Sequence, residues 1–156
     1  MLRWLVRLIS HGAALGIGFL AGIYALPLLI APKGPDAAVV QGATAAALYK
    51  GRFERNLKGS DFLHWGEGDV FLLRDGIVHS GRLAPGPDYR LYLTPRFVET
   101  KEEFLAVKGA SRLVGEVRSF DGFVVVVPHD IDVNAFDSVV VWCEAFGAFI
   151  TAARYR

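Results

Sequence analysis

The chain has 156 residues, 53% of them hydrophobic and 21% charged, with a formal net charge of +1. That length supports one domain with a real core and little beyond it. The near-neutral balance, without basic clusters or acidic runs, excludes a nucleic-acid partner and a charged disordered tail.

From Ser10 to Pro32 there is no Lys, Arg, Asp or Glu, and the apolar run Ala13–Ala31 is 19 residues long. A helix of that length, rising about 1.5 Å per residue, spans roughly the 30 Å hydrocarbon layer of a membrane. Pro27 is tolerated there at the cost of a kink. Arg3 and Arg7 precede the run, and Lys33 and Asp36 follow it. The positive-inside rule then predicts a cytoplasmic N-terminus over 1–12, a transmembrane helix over 13–31 and an extracytoplasmic remainder, periplasmic or at the cell surface. A cleaved signal peptide is the competing reading, for which Leu29-Ile30-Ala31-Pro32 makes a poor cleavage site. Small residues recur at four-residue spacing (Gly12 and Gly16, then Ala14, Gly18 and Gly22), which permits close helix–helix association. Glycine is also simply common in membrane helices. Without residues 1–32 the chain keeps 15 basic residues (17 less Arg3 and Arg7) against 16 acidic ones.

Pro32-Lys33-Gly34-Pro35-Asp36 ends the helix. The alanine-rich stretch 37–50 fits a short helix or a mobile stalk equally well, so 32–50 is expected to be a linker. From Gly51 the character is β. Asp69–Arg74 and Ile77–Leu83 flank Asp75-Gly76, a two-residue hairpin signal. Pro85-Gly86-Pro87-Asp88 is a turn before the alternating strand Tyr89–Leu93, and Thr100–Ala106 a helical turn. Val114–Phe120 and Phe123–Val127 flank Asp121-Gly122, a second hairpin of the same kind. After an aspartate-rich loop, Ser138–Phe146 is a buried strand and Gly147–Arg156 the last one. Val124–Val127 and Val139–Val141 are apolar enough to lie centrally in a sheet. Short strands with turns about every ten residues predict an all-β domain over 51–156, a single β-sandwich or open β-barrel.

Cys143 is the only cysteine. Strand alternation puts it on the face of Val139, Val141, Ala145 and Gly147, with Trp142 and Glu144 on the other. Two readings stay open. It is a buried, inert thiol, or it is kept reduced for redox or ligand chemistry in a compartment where cysteines normally pair. His64, His79 and His129 lie in separate elements without metal-ligand spacing, so no metal site is expected. Haem needs only one or two axial ligands, which a thiolate, histidine or tyrosine can supply. No CxxCH motif is present, so any haem would be non-covalent. Asp130, Asp132 and Asp137 do not match a calcium loop, and no GxSxG elbow supports a hydrolase.

With these elements in place, residues 51–155 resemble the DM-thirteen electron-transfer domain family. The matching pieces are Gly51-Arg52-Phe53 with His64 and Gly68, and Gly86-Pro87-Asp88 leading to Leu91-Tyr92-Leu93. Further on they are Gly115-Glu116-Val117 with Asp121-Gly122 and Pro128, then Asp132-Val133 with Phe136. The strand Val139-Val140-Val141-Trp142-Cys143 follows, then Phe146, Phe149 and Ala152-Ala153. The Gly-Pro-Asp block and the Trp-Cys strand are the specific ones. The resemblance implies an exported redox domain in which Cys143 serves as thiol or as ligand to a prosthetic group such as haem, with His64, His79 or Tyr92 as accompanying cofactor-binding residues. It implies a separate redox or envelope protein as partner, and a redox accessory or binding domain rather than a stand-alone enzyme. The alternative from the residues themselves is a non-catalytic binding or scaffolding module at the cell envelope, with Cys143 in its core.

Overall fold

The computed structural model describes residues 2–156. Helix α1, Leu2–Ile30, takes in Arg3 and Arg7 as well as the apolar run. Its 29 residues reach about 44 Å, more than the hydrocarbon layer requires. None of its described residues is buried, and nothing lies within 4 Å of a methyl placed at Gly12, Gly16, Gly18 or Gly22. By length and composition it is a helix able to cross a membrane or to serve as a signal sequence.

After α1 the chain is tied to the domain at once. The Gly34 N–H donates to the Asp121 carboxylate at 2.8 Å. Asp36 then caps helix α2, Ala37–Ala46, by accepting from the Val39 N–H at 2.9 Å. α2 packs Val40 and the buried Ala43 on Phe71 and Val78. Of the two forms open to this stretch, the helix is the one that forms.

The remainder makes two four-stranded antiparallel sheets. The first holds β1 (Tyr49–Phe53), β2 (Gly66–Leu72), β3 (Gly76–Leu83) and β6 (Phe123–Val126), in the order β1-β2-β3-β6. The second holds β4 (Tyr89–Thr94), β5 (Arg112–Val117), β7 (Ser138–Cys143) and β8 (Ala148–Arg154), in the order β5-β4-β7-β8. Their inner faces share one core, built from Phe53, Val70, Leu72 and Ile77 on one side and Leu91, Leu93, Val139, Val141 and Ile150 on the other. Helix α3, Lys101–Val107, is capped by Thr100 and packs Phe104 on the outer face of the second sheet with Val140 and Trp142. A mostly β domain of two antiparallel sheets behind an N-terminal apolar helix is therefore what the sequence folds into.

Four local expectations change. The β2–β3 hairpin forms, but the Leu73 N–H donates to the Gly76 carbonyl at 2.8 Å, so the two-residue loop is Arg74-Asp75 rather than Asp75-Gly76. Leu72 and Ile77 are paired and both wholly buried, and a one-residue slip would turn every side chain of one strand outward. The second expected hairpin does not exist. β5 pairs with β4 and β6 with β3, so 118–122 carries the chain from one sheet to the other. Gly122 has φ +101°, and the Phe120 carbonyl accepts from the Leu83 N–H at 2.8 Å, which bends the segment into place. β6 is consequently an edge strand: Phe123 and Val125 point into the core, while Val124 and Val126 are 52% and 73% exposed. Finally, β7 ends at Cys143, and Glu144–Gly147 form a turn that removes Ala145 and Gly147 from the cysteine's face. A further strand, β1, begins at Tyr49, where alanine-rich sequence had masked it.

Gly68 and Gly81 face each other across β2 and β3. A methyl at Gly81 would overlap the Glu67 carbonyl oxygen and come within 2.7 Å of both the Gly68 Cα and the His79 Nε2. Gly81→Ala is therefore expected to destabilise the domain by about 1–3 kcal/mol. Thermal unfolding of the full chain in detergent micelles checks this.

Candidate functional site

β7 is buried on both faces along its whole length. Val139, Val141 and Cys143 point to the inter-sheet core, and Val140 and Trp142 to the α3 side. Antiparallel register places Tyr89, the first residue of β4, directly opposite Cys143, the last of β7. The Glu144 N–H donates to the Asp88 carbonyl at 3.0 Å. Gly86-Pro87-Asp88 and Trp142-Cys143, distant in sequence, are thus held together at one end of the second sheet. Gly86 lets the Tyr89 ring lie back over the turn, since a methyl there would meet its Cζ at 2.6 Å.

Cys143 is 2% exposed. Burial pushes its thiol above the ordinary range, and the backbone N–H groups of Phe146, Asp88 and Ala145, which face the sulfur, pull it back only in part. At rest it is a thiol and not a thiolate. Beyond Tyr89 lies a cavity of about 510 Å³, walled by Pro87, Tyr89, Val117 and Phe120 and by Ile23, Leu26 and Ile30 near the end of α1. Glu116 at its rim is held below the usual carboxylate range by hydrogen bonds from Arg118 and Arg90, the latter at 2.5 Å.

The other residues anticipated for the site are not gathered around the sulfur. His64 lies in the loop before β2, with its Nδ1 2.9 Å from the Asp61 carboxylate. His79 is wholly buried in the inter-sheet core, its ring centroid 5.1 Å from Phe53 and 5.0 Å from Phe123. Its Nε2 donates to the Glu67 carbonyl at 3.0 Å, while Nδ1 has no partner. Tyr92 lies on the α3 face of the second sheet, the opposite face from Cys143. For haem, an axial sulfur must be bare, and Sγ here is covered by its own turn and strand. His64, His79 and Tyr92 do not converge on it. As placed, these residues do not form a haem site.

Tyr92 instead belongs to a polar cluster that the sequence only hinted at. Its hydroxyl donates to Glu144 Oε1. Lys108 Nζ stands 2.9 Å from both Glu144 oxygens, and the Trp142 Nε1–H donates to Oε2 at 3.2 Å. Burial alone would raise the Glu144 carboxyl, but these three donors more than offset it and leave it below the usual range. Burial and then the neighbouring carboxylate raise the Tyr92 phenol. Alternation along β7 put Glu144 on the Trp142 face, but nothing in the sequence linked it to Lys108, 36 positions away.

Burial lowers the His79 imidazole to about 4, against weaker upward pulls from the Glu67 carbonyl and the Asp69 charge. Above pH 6.5 the ring is neutral in both folded and unfolded chains and costs nothing. As pH falls from about 6.5 to about 4, only the unfolded chain takes up the proton, so stability should drop by about 3 kcal/mol. Unfolding at stepped pH should show this loss in the native chain and a shallower one in His79→Gln.

No curated protein and no solved structure matches the chain. The family model described as electron transfer DM13 matches residues 53–155, about two-thirds of the sequence, and spans both sheets, the Gly-Pro-Asp turn and Cys143. By that match, over the whole of the folded β domain except the first four residues of β1, this chain belongs to the electron transfer DM13 family.

Proposed function

We propose that the chain is a membrane-tethered electron-transfer module held outside the cytoplasm, with Cys143 as its redox thiol and a separate envelope protein as its partner. Family membership over 53–155 is the observation that carries this reading. Two features support it. Arg3 and Arg7 precede the apolar part of α1, the charge order of a helix with its N-terminus in the cytoplasm. Cys143 sits where the Gly-Pro-Asp turn and the Trp-Cys strand meet, beside the backbone of Phe146, Asp88 and Ala145, which favours the thiolate and partly offsets burial. Reaching the sulfur requires Ala145–Gly147 to swing aside while Glu144 stays held by Asp88, Lys108, Tyr92 and Trp142. The hydrogen bond that closes this turn, Gly147 N–H to the Glu144 carbonyl, is long at 3.3 Å, and Phe146 beside it is 61% exposed.

A second reading is favoured by the burial itself. A sulfur 2% exposed beside Val139 and Val141 suits a non-catalytic binding or scaffolding module with Cys143 as core. Titration of the full chain in detergent micelles with an aromatic disulfide reagent separates the two. Local opening of the turn should let Cys143 react well below the unfolding transition, at a rate that saturates with reagent concentration. Reaction only upon global unfolding would make Cys143 structural. In an independent test of topology, alkaline phosphatase fused after Arg156 should be active in a bacterial host. Activity of a cytoplasmic reporter at that position instead would overturn the orientation.

A further inference from the structure

A buried phenol resists one-electron oxidation because its proton has nowhere to go, and a cationic ring in an apolar setting is costly. Among the described residues, Tyr155 donates to the Val133 carbonyl and Tyr49 to the Asn134 side-chain oxygen, both at 2.8 Å. Neither neutral acceptor takes a proton. Tyr92 differs. It is 8% exposed, and its hydroxyl already points at the ionised Glu144. The ring packs edge-on to Phe104 with centroids 5.3 Å apart, and Phe104 lies 4.9 Å from Trp142. The side chains of Glu144 and Lys108 are 32% and 30% exposed, so the proton acceptor reaches the surface directly above the covered ring.

We propose that Tyr92 is a one-electron relay of this domain, its phenolic proton passing to Glu144 as the electron leaves. The proposal rests on the electron-transfer reading of the family but not on Cys143. One electron goes to a one-electron metal-complex oxidant, and one proton moves from the Tyr92 oxygen to Glu144 Oε1. The products are a neutral phenoxyl radical, a carboxylic acid and the reduced oxidant, and a donor runs the same step in reverse. An oxidised phenol is a strong acid, so the proton follows the existing hydrogen bond. Lys108 loses its counter-charge where its side chain is 30% exposed to solvent.

The test uses the full chain in detergent micelles, photogenerated tris-bipyridine ruthenium(III) as oxidant, and electron paramagnetic resonance on chain carrying ring-deuterated tyrosine. The expected result is a tyrosyl radical that disappears in Tyr92→Phe and persists in Tyr155→Phe. Its formation should slow in deuterated water, and in Glu144→Gln it should be slower still, without that solvent effect. A radical unchanged in Tyr92→Phe, one borne by Trp142, or no protein radical at all would overturn the proposal. If Tyr92→Phe does not fold, an unaltered rate and solvent effect in Glu144→Gln overturns it equally. Cys143→Ser should keep the radical. A thiol that proves inert beside a surviving Tyr92 radical removes Cys143 from the electron-transfer reading and leaves the relay standing.

Discussion

The pairing of β4 with β7 is the constraint on which the rest of the domain depends. These two strands are the interior pair of the second sheet, and all six residues of β7 are buried. Leu91, Leu93, Val139 and Val141 fill the inter-sheet core, while Tyr92, Val140 and Trp142 receive α3 on the other face. Each such side chain contributes about 1.5–3 kcal/mol on burial, and a one-residue slip would exchange the two faces. The same register sets Tyr89 opposite Cys143 and leaves Asp88 to accept the Glu144 N–H. The candidate site is therefore a by-product of the register that fills the core.

The two faces of β7 create opposite electrostatic settings one residue apart. On the inner face, Cys143 sits among valines and its thiol is raised by burial. On the outer face, Glu144 stays ionised because Lys108, Tyr92 and Trp142 all donate to it. Lys108 also stands over the Tyr92, Phe104 and Trp142 rings, with centroid distances of 5.5, 5.9 and 5.2 Å, so its charge serves the aromatic cluster as well as the carboxylate. Electrons cross protein without solvent contact at the donor, whereas thiol exchange requires a bare sulfur. That difference separates the roles open to the two faces.

The connection between α1 and the domain is short and held by a backbone N–H on a carboxylate side chain. Asp121, in the segment crossing between the sheets, accepts from the Gly34 N–H and the Ser119 hydroxyl, and these bonds hold its carboxyl below the ordinary range. Gly122 next to it leaves room for Pro35, whose Cδ lies 3.1 Å from where a side chain would begin. The turn that carries the chain between sheets is thus also the seat for the chain leaving α1.

The sequence by itself determined the elements whose signals are local: an apolar helix from unbroken hydrophobicity, a β domain from alternation and turns, a helical turn over Thr100–Ala106 from its charged composition, and the face that Cys143 shares with Val139 and Val141 from period two. The Gly-Pro-Asp and Trp-Cys blocks were legible too, as a family resemblance. Only tertiary structure decided which strands pair. Asp121-Gly122 has the composition of a hairpin turn, yet it crosses between sheets because β5 and β6 find their partners in β4 and β3, a choice made by core packing and not by the turn. Val124–Val127 reads as central, yet its strand β6 lies at an edge for the same reason. Lys108 and Tyr92 met Glu144 only when α3 docked on the outer face, since charges distant in sequence carry no periodic signal of their pairing. The chain specifies its local shapes through backbone preference, and its site through contacts that exist only once both sheets have closed on one core.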